Sequence, residues 1–295
     1  MVKSRSLGSI LFNIFNYTFL ALLTLFCLFP FWLMIVASLT EKSALDMNGY
    51  LPWTQAWTAE AYRWVLGGAG IQTGYRVSLF VTIVGTVTSV IVMSALGYAI
   101  SLKRFNLRNV IAFYLFYTTI FGGGLIPFVL VCQKLGLYDN LAALIVPMLV
   151  APFWVLVLRN FFKGLPEEII ESARIDGASE FTILFQIVLP LSLPALATVG
   201  LFMAVAYWND FFLGVMLLRE APYRPLAVWI YRMLNSLQAI QQAAKIPGVT
   251  INANALPTHA LRMATAAVTI GPIILLYPFV QRYFIRGLTL GGVKG

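Results

Sequence analysis

Charged residues are scarce in this sequence of 295 residues: Asp, Glu, Lys and Arg make up 11% of it, against roughly a quarter in soluble globular proteins. Hydrophobic residues make up 60%. A chain with so few polar side chains cannot cover a soluble globule of this size, because most of its surface would present apolar groups to water. The composition therefore excludes an ordinary soluble domain and predicts an integral membrane protein.

Cysteine and histidine are also nearly absent. Cys27 and Cys132 lie in or at the end of apolar stretches, and His259 is the single histidine. Two such cysteines form neither a disulfide framework nor a metal-ligand pattern, and a lone histidine without neighbouring ligands is a poor metal site. We therefore expect no metal centre and interpret both cysteines as packed core residues.

Two further binding functions are excluded by missing patterns. The sequence has no GxxxxGK[ST] motif, the loop that cradles phosphates in many nucleotide-binding proteins. The net charge of +9 comes from basic residues that never form a dense run and that long apolar blocks separate. We therefore expect that the chain supplies no such phosphate-binding loop and that it does not bind nucleic acid.

What the sequence has instead is apolar runs near the length of about 20 residues that spans a bilayer. We predict six, over 11–39, 77–102, 110–131, 141–158, 195–218 and 261–280. Lipid offers no hydrogen-bond partner to the backbone, and the alternating pattern of a membrane barrel strand is absent, so these runs are expected to be helices. The predicted fold class is an all-α integral membrane protein with six transmembrane helices.

Short basic segments predict the orientation of these helices. Lys3 and Arg5 precede the first helix, 103–108 lies between the second and third, and 282–294 follows the sixth. Because an excess of Lys and Arg marks cytoplasmic loops, all three segments are expected on the cytoplasmic side. Both termini are therefore predicted to be cytoplasmic, and a long segment of about 219–259 is predicted to face outward.

A polar segment of about 159–194, between the fourth and fifth helices, predicts a helix, a turn and a second helix on the cytoplasmic face. Pro166 suits a first helical turn, and acids follow it where the helix dipole favours them. The run Asp-Gly-Ala-Ser at 176–179 predicts a turn, because its Gly accepts a positive φ and its Ser can cap the next helix. That helix should end near Leu189, before Pro190. From helix signals alone, this hairpin could equally be an amphipathic loop at the membrane surface.

The same segment contains a spaced motif that is specific to one family. Its residues are Glu171, Ser172, Ala173, Asp176, Gly177, Ile187, Leu189 and Pro190. They resemble the EAA signature of ABC importer permeases, in which Glu-Ala-Ala, a Gly and Ile-x-Leu-Pro recur at these spacings. Every spacing fits, and Ser172 stands where the family pattern has a second Ala.

Other stretches of the chain resemble the same family. They are Tyr62-Arg63-Trp64, the Gly-Gly-Gly-Leu-Ile-Pro run at 122–127, Tyr207-Trp208-Asn209 and the Gly-rich tail at 287–295. On these residues the chain is identified as a member of the MalG-like branch of carbohydrate ABC importer permeases. Within that branch it is similar to permeases for oligosaccharides derived from polysaccharides, including the second permease subunit of the alginate importer. The resemblance implies one type I transmembrane domain over 1–295 in a bacterial inner membrane.

The resemblance also implies a mechanism and a set of partners. The hairpin around Gly177 would be a coupling helix in a cleft of a separate ATPase, which would carry ATP and Mg, so this chain would bind no cofactor and would not be an enzyme. The complex would contain a second related permease, two ATPase subunits and an extracytoplasmic solute-binding protein. The tail residues implied to contact the ATPase are Gly291, Gly292, Val293 and Lys294.

Residues at the end of the fifth helix are candidates for the sugar pathway: Tyr207, Trp208, Asn209 and Asp210. A charge within a span needs a partner, a wet cavity or a function, and Asp210 is the one acid that we place in a span. Counted from Pro194, it lies about 24 Å along a straight helix, near the outer mouth of a core about 30 Å thick. Hydration or pairing at the mouth is therefore slightly favoured over a role in the pathway.

Three choices stay open at the level of sequence. The outer segment could dock a binding protein or cap the membrane mouth, because both surfaces use aromatic residues. An ion-coupled secondary transporter is the alternative function, although it would need more intramembrane ionisable residues than Asp210. The basic charge could favour acidic oligosaccharides, but the positive-inside rule explains it without any substrate.

Overall fold

The computed structural model describes residues 7–219, 222–243 and 259–271. These residues are mostly helical, and the β-pairing among them is limited to an isolated bridge between Thr40 and Trp57. A helical fold satisfies backbone hydrogen bonds within each segment, which lipid requires. The all-α prediction is confirmed.

Fourteen helices occur in the described part of the chain. They are α1 (Leu7–Ser38), α2 (Lys42–Asn48), α3 (Glu60–Gly67), α4 (Ala69–Ser101), α5 (Arg108–Ile120), α6 (Leu125–Lys134), α7 (Pro152–Lys163), α8 (Glu167–Ile175), α9 (Glu180–Ile183), α10 (Leu189–Leu191), α11 (Leu193–Asn209), α12 (Phe212–Leu217), α13 (Leu226–Ala243) and α14 (259–271). Two 3-10 turns, Leu141–Leu144 and Val146–Met148, precede α7, and a π-helix at Leu184–Val188 joins α9 to α10.

Among the residues that the structure describes, two helices are long and apolar enough to cross a membrane unbroken, Gly8–Ser38 and Gly70–Ser101. The fourth predicted span, 141–158, falls on a bent pair in which the 3-10 turns meet α7 at 47°. The fifth, 195–218, falls on α11 and α12, which are separated at Asp210, and α11 meets the preceding segment Glu180–Leu191 at 85°. The straight pieces are shorter than the roughly 20 residues of an unbroken span.

The third predicted span is interrupted. Helix α5 ends in extended backbone at Phe121, and α6 begins after Gly124, which has a φ of 83°. Three consecutive glycines cost helix stability and supply the positive φ at this break. The sixth predicted span is described only as far as residue 271.

The described residues divide into two compact units. One comprises 7–69, 232–243 and 259–271, and the other comprises 70–219 and 222–231. In the first unit the Ser38 and Tyr62 hydroxyls hydrogen-bond at 2.9 Å, and the Tyr50 hydroxyl lies 3.0 Å from Nδ1 of His259. The lone histidine therefore has an aromatic partner.

The core of the second unit forms where α4, α7 and α11 pack together. Met93, Leu158 and Met203 are nearly fully buried there. A Cβ atom at Gly97 would lie 3.3 Å from the backbone of α7, so this glycine permits the close approach of α4 and α7. Small residues at helix contacts are typical of membrane proteins, because they let the two backbones come together.

A buried polar cluster joins α4 and α11 to the chain between the two 3-10 turns. The Tyr207 hydroxyl on α11 lies 2.7 Å from the Ser89 hydroxyl on α4 and donates to the Ile145 carbonyl oxygen at 3.2 Å. Hydrogen bonds between helices satisfy polar groups that lipid cannot. Tyr207 thus holds three segments together.

The two cysteines have different surroundings. Cys132 is buried, as predicted, but Cys27 is exposed on α1. The prediction that Cys27 is a packed core residue is therefore wrong. Most apolar side chains of α1 are exposed as well. A lipid-facing helix can be apolar all round, so burial does not follow from hydrophobicity here.

Replacing Gly85 with alanine should destabilise the protein. A Cβ atom at Gly85 would lie 2.7 Å from the Tyr207 ring, so the ring must move away from its Ser89 and Ile145 partners. Overpacking of this kind costs about 1 to 3 kcal/mol, and we expect the thermal midpoint in detergent to fall by a few degrees. The control is Gly200→Ala on α11, where a Cβ meets its nearest atom at 3.7 Å. Equal midpoints for the two variants would contradict the proposed role of Tyr207.

Candidate functional site

The first arm of the predicted cytoplasmic hairpin is α8. Pro166 is its N-cap, Glu167 and Glu168 lie in its first turn, and Arg174 lies in its last turn. Acids near the N-terminus and a base near the C-terminus both complement the helix dipole. The sequence therefore fixes the position and direction of this short helix locally.

A tight turn follows α8 and confirms the predicted conformation of Gly177. Gly177 has a φ of 84°, its N–H donates to the Arg174 carbonyl at 3.0 Å, and the Ala178 N–H donates to the Ala173 carbonyl at 3.0 Å. This pair of bonds is the Schellman motif, in which a left-handed residue closes the helix end. Glycine adopts that conformation without a steric penalty.

The second arm begins as predicted and ends slightly later. The Ser179 side chain caps α9 by accepting a hydrogen bond from the Thr182 N–H at 3.2 Å. The arm then continues through the π-helix and α10 to Leu191, two residues beyond the predicted end at Leu189. Pro190 does not stop it, because it lies in the first turn of α10, where proline is tolerated.

The carboxylate of Glu180 fastens the hairpin to neighbouring elements. It accepts a hydrogen bond from the Tyr98 hydroxyl on α4 at 2.7 Å and one from Arg174 Nε at 2.9 Å, and it also pairs with Arg104 in the loop after α4. The hydrogen bond to Glu180 raises the pKa of the Arg174 guanidinium above its usual value. Charge-assisted hydrogen bonds to a partly buried acceptor are stronger than neutral ones. Glu180 therefore links both arms to the end of α4.

The EAA-like residues divide between two faces of the hairpin. Ala173 and Leu189 pack against the core of the unit, and Ile187 is half-buried. The exposed members are Glu171, Ser172, Asp176, Gly177 and Pro190. The motif therefore supplies both the packing that holds the hairpin and the small and acidic residues at its surface.

Two large apolar side chains beside the turn are exposed. Ile175 is 82% and Phe181 is 76% solvent-accessible, although the segment around them is polar. The EAA-like motif does not include these two residues. Their position, as large apolar residues on either side of a polar turn, is the sequence signal that could have identified them as part of the site. Together with the turn at 176–179 they form what we name the hairpin tip. An apolar surface with a polar rim is typical of a protein-docking site.

The four predicted pathway residues do not share one surface. Tyr207 and Trp208 are buried, whereas Asn209 is exposed. Asp210 ends α11, and its Oδ1 accepts a hydrogen bond from the Leu213 N–H at 3.3 Å. The partners of Tyr207 are protein groups, so its hydroxyl already has a structural role. Asn209 and Asp210 remain the better candidates for contact with a solute.

Asp210 also lines a cavity of about 520 Å³ with the three glycines that separate α5 from α6. Its second oxygen, Oδ2, is buried and has no hydrogen-bond partner among the described residues. A buried carboxylate oxygen needs a donor, and a hydrated cavity or a hydroxylated ligand could supply one. The predicted tail residues Gly291, Gly292, Val293 and Lys294 lie outside the described residues.

Comparison with known families gives a match over nearly the whole chain. Residues 2–290 match the family described as "Binding-protein-dependent transport system inner membrane component". The matched region includes the hairpin, the glycine break and the pathway residues.

Individual relatives cover the chain end to end. The polygalacturonan/rhamnogalacturonan transport system permease protein YtcP of Bacillus subtilis is 35% identical over 97% of this chain and 99% of its own length. The arabinooligosaccharides transport system permease protein AraQ of Halalkalibacterium halodurans is 32% identical over 93% of this chain and 94% of its own.

A solved structure shares the fold. It is a chain of a bacterial ABC transporter involved in the import of the acidic polysaccharide alginate, and it superimposes with a TM-score of 0.81 at 29% identity. The superposition covers 96% of this chain and 100% of the other.

Replacing Gly177 with valine should loosen the turn without clashing with any neighbour. A Cβ atom at this position meets nothing within 4 Å, so the penalty comes from the positive φ alone. That penalty is about 1 to 2 kcal/mol, and we expect the amides of residues 177 and 178 to exchange with deuterium roughly tenfold faster. Gly177→Asn is the control, because asparagine tolerates the left-handed region. Unchanged exchange in the valine variant would show that the turn does not depend on the glycine.

Replacing Glu180 with glutamine should weaken the attachment of the hairpin to α4. The amide keeps the shape and can still accept from Tyr98, but it loses the charge that holds Arg104 and Arg174. Because the side chain is one-third exposed, solvent screening limits the loss to about 1 to 2 kcal/mol. Thermal unfolding should therefore begin earlier than in Glu168→Gln, which removes an exposed acid from α8. Identical unfolding of the two variants would argue against the Glu180 link.

Proposed function

This chain belongs to the family of binding-protein-dependent transport system inner membrane components, and from that premise we propose that it forms half of the translocation pathway of an ATP-driven oligosaccharide importer. Its fold is the type I transmembrane domain of ABC importers. As a carbohydrate importer permease it is a multi-pass inner-membrane subunit and does not carry catalysis itself. The proposal concerns what drives it and what it carries.

The observation that carries the proposal of ATP coupling is the hairpin tip. Exposed Ile175 and Phe181 flank a turn whose conformation is fixed by Gly177. A soluble loop gains nothing from presenting two large apolar side chains, whereas a docking surface buries them against a partner. We infer that the partner is an ATPase subunit, because the chain has no phosphate-binding loop of its own.

The base of the hairpin gives the tip a mechanical connection to the membrane spans. Glu180 joins it to Tyr98 near the end of α4, and the second arm continues into α11 after an 85° bend. A force on the tip would therefore move two spans that pack in the same core. Rigid-body movement of this kind could open the pathway alternately to each side.

The importer family implies further subunits. We propose two ATPase subunits that carry ATP and Mg, a second related permease and an extracytoplasmic solute-binding protein. The tail residues 291–294 would add a second contact with the ATPase. Both termini and the hairpin would lie on the cytoplasmic side, as the short basic segments predict.

The transported solute is proposed to be an oligosaccharide released from a polysaccharide, with uronic acid oligosaccharides such as those of alginate as the first candidates. One relative is named for the transport of polygalacturonan and rhamnogalacturonan, and the similar solved structure belongs to a transporter involved in the import of alginate. A second relative is named for arabinooligosaccharides, which are neutral. The cavity at Asp210 would offer hydrogen-bond acceptors to sugar hydroxyl groups in either case.

The whole proposal is tested in liposomes that contain the complex of both permeases and the ATPases. Solute-binding protein loaded with uronic acid oligosaccharides should stimulate ATP hydrolysis and uptake together, and neutral arabinooligosaccharides should do so less. Uptake that follows an imposed ion gradient without ATP would contradict the proposal and favour a secondary transporter. Stimulation by neutral sugars alone would reject the uronic acid assignment and leave the coupling intact.

The pathway role is tested by replacing Asp210 with asparagine. The amide oxygen can still accept the hydrogen bond from the Leu213 N–H, while the carboxylate is removed from the cavity. We expect the uptake rate to fall severalfold while the complex assembles normally. The control is Asp46→Asn, which removes an exposed acid from α2. Uptake equal to that of the unmodified complex would exclude Asp210 from the pathway, and failed assembly would show that its role is structural.

A further inference from the structure

A basic cavity of about 560 Å³ lies beside the hairpin, between the end of α4, the start of α5, the end of α7 and α8. Its charged lining residues are Lys103, Arg104, Arg108, Lys163, Arg174 and the single acid Glu167. Neither transport of a sugar nor docking of the hairpin tip requires five cations around one cavity. The positive-inside rule accounts for basic residues in this region, but neither that rule nor the proposed function accounts for five of them around one cavity.

The neighbouring acids compensate only part of this charge. Lys103 pairs with Glu167 at 2.6 Å, and Arg104 and Arg174 share Glu180. Arg108 and Lys163 have no carboxylate partner within the described part of the chain, and Arg108 and Arg159 both repel the Lys163 ammonium group. Like charges held together destabilise a fold unless an anion lies between them.

An apolar groove of about 400 Å³ adjoins this cavity. It lies between α5 and α7, its apolar lining includes Ala112, Phe113, Phe116 and Leu156, and it shares Asn109 with the basic cavity. Phe113 and Phe116 are both more than half exposed. A charged cavity at the end of an apolar groove matches a molecule with an anionic head and a hydrocarbon tail.

We propose that the cavity and the groove together bind one anionic phospholipid. Its phosphate would lie at Arg108 and Lys163, and one acyl chain would occupy the groove between α5 and α7. Basic pockets at membrane surfaces recognise lipid phosphates through the same charges that would attract free phosphate. The groove favours the lipid, because inorganic phosphate has nothing to place there. The bound phosphate would supply the missing counter-charge next to α8.

The test is native mass spectrometry of the full-length chain with three probes: phosphatidylglycerol, phosphatidylcholine with the same acyl chains, and inorganic phosphate. We expect one phosphatidylglycerol to be retained at least tenfold more tightly than phosphatidylcholine, with no displacement by millimolar phosphate. Arg108→Gln combined with Lys163→Gln should weaken phosphatidylglycerol binding about tenfold or more. Arg63→Gln combined with Lys134→Gln removes the same charge from two exposed sites elsewhere and should leave binding unchanged.

A further variant separates the lipid from its head group. Asn109→Trp places a large side chain where the cavity meets the groove, so it should reduce phosphatidylglycerol binding while the basic residues remain. Thermal midpoints of all variants show whether they are folded. Equal retention of phosphatidylcholine, displacement by phosphate, or unchanged binding in the Arg108 and Lys163 variant would each overturn the proposal. If the Arg108 and Lys163 variant keeps its lipid but no longer co-purifies with the ATPase, the cavity is a contact with that protein instead.

Discussion

The contact between Glu180 and its three donors is the interaction on which the hairpin depends. Tyr98 comes from a span, Arg104 from the loop that follows it, and Arg174 from the first arm of the hairpin. One carboxylate therefore joins a membrane helix to a surface structure that would otherwise be held by short helices and their caps. Because isolated helices of this length are not stable in water, the hairpin keeps its shape through these contacts and through the packing of its inner face.

Lipid as the solvent explains the rest of the architecture. The two unbroken spans among the described residues satisfy their backbone internally, and at two of the irregular segments a polar side chain hydrogen-bonds to the backbone. The Tyr207 hydroxyl donates to the carbonyl of Ile145 between the two 3-10 turns, and the Asp210 side chain accepts a hydrogen bond from the Leu213 N–H in the first turn of α12. Polar residues in the spans thus stabilise irregular backbone, and the same irregular segments line the cavity that is the candidate for a sugar pathway.

Local signals in the sequence predicted the hairpin well. The acids after Pro166, the left-handed Gly177 and the Ser179 cap each act over a few residues, so short patterns suffice to identify them. The Glu180 link could not be predicted in this way, because Tyr98 and Glu180 are 82 residues apart and meet only through helix packing. The 85° bend before α11 and the burial of Tyr207 and Trp208 likewise depend on tertiary contacts that hydropathy does not encode.

The central claim is that the hairpin tip binds a separate ATPase, and co-purification tests it most directly. The complex is isolated through a tag on this chain that carries Ile175→Ser and Phe181→Ser, and the amounts of ATPase and second permease are measured. The account predicts that the ATPase is lost while the second permease is retained, whereas Met47→Ser, which removes an equally exposed apolar side chain from α2, leaves both in place. Full retention of the ATPase by the tip variant would contradict the claim.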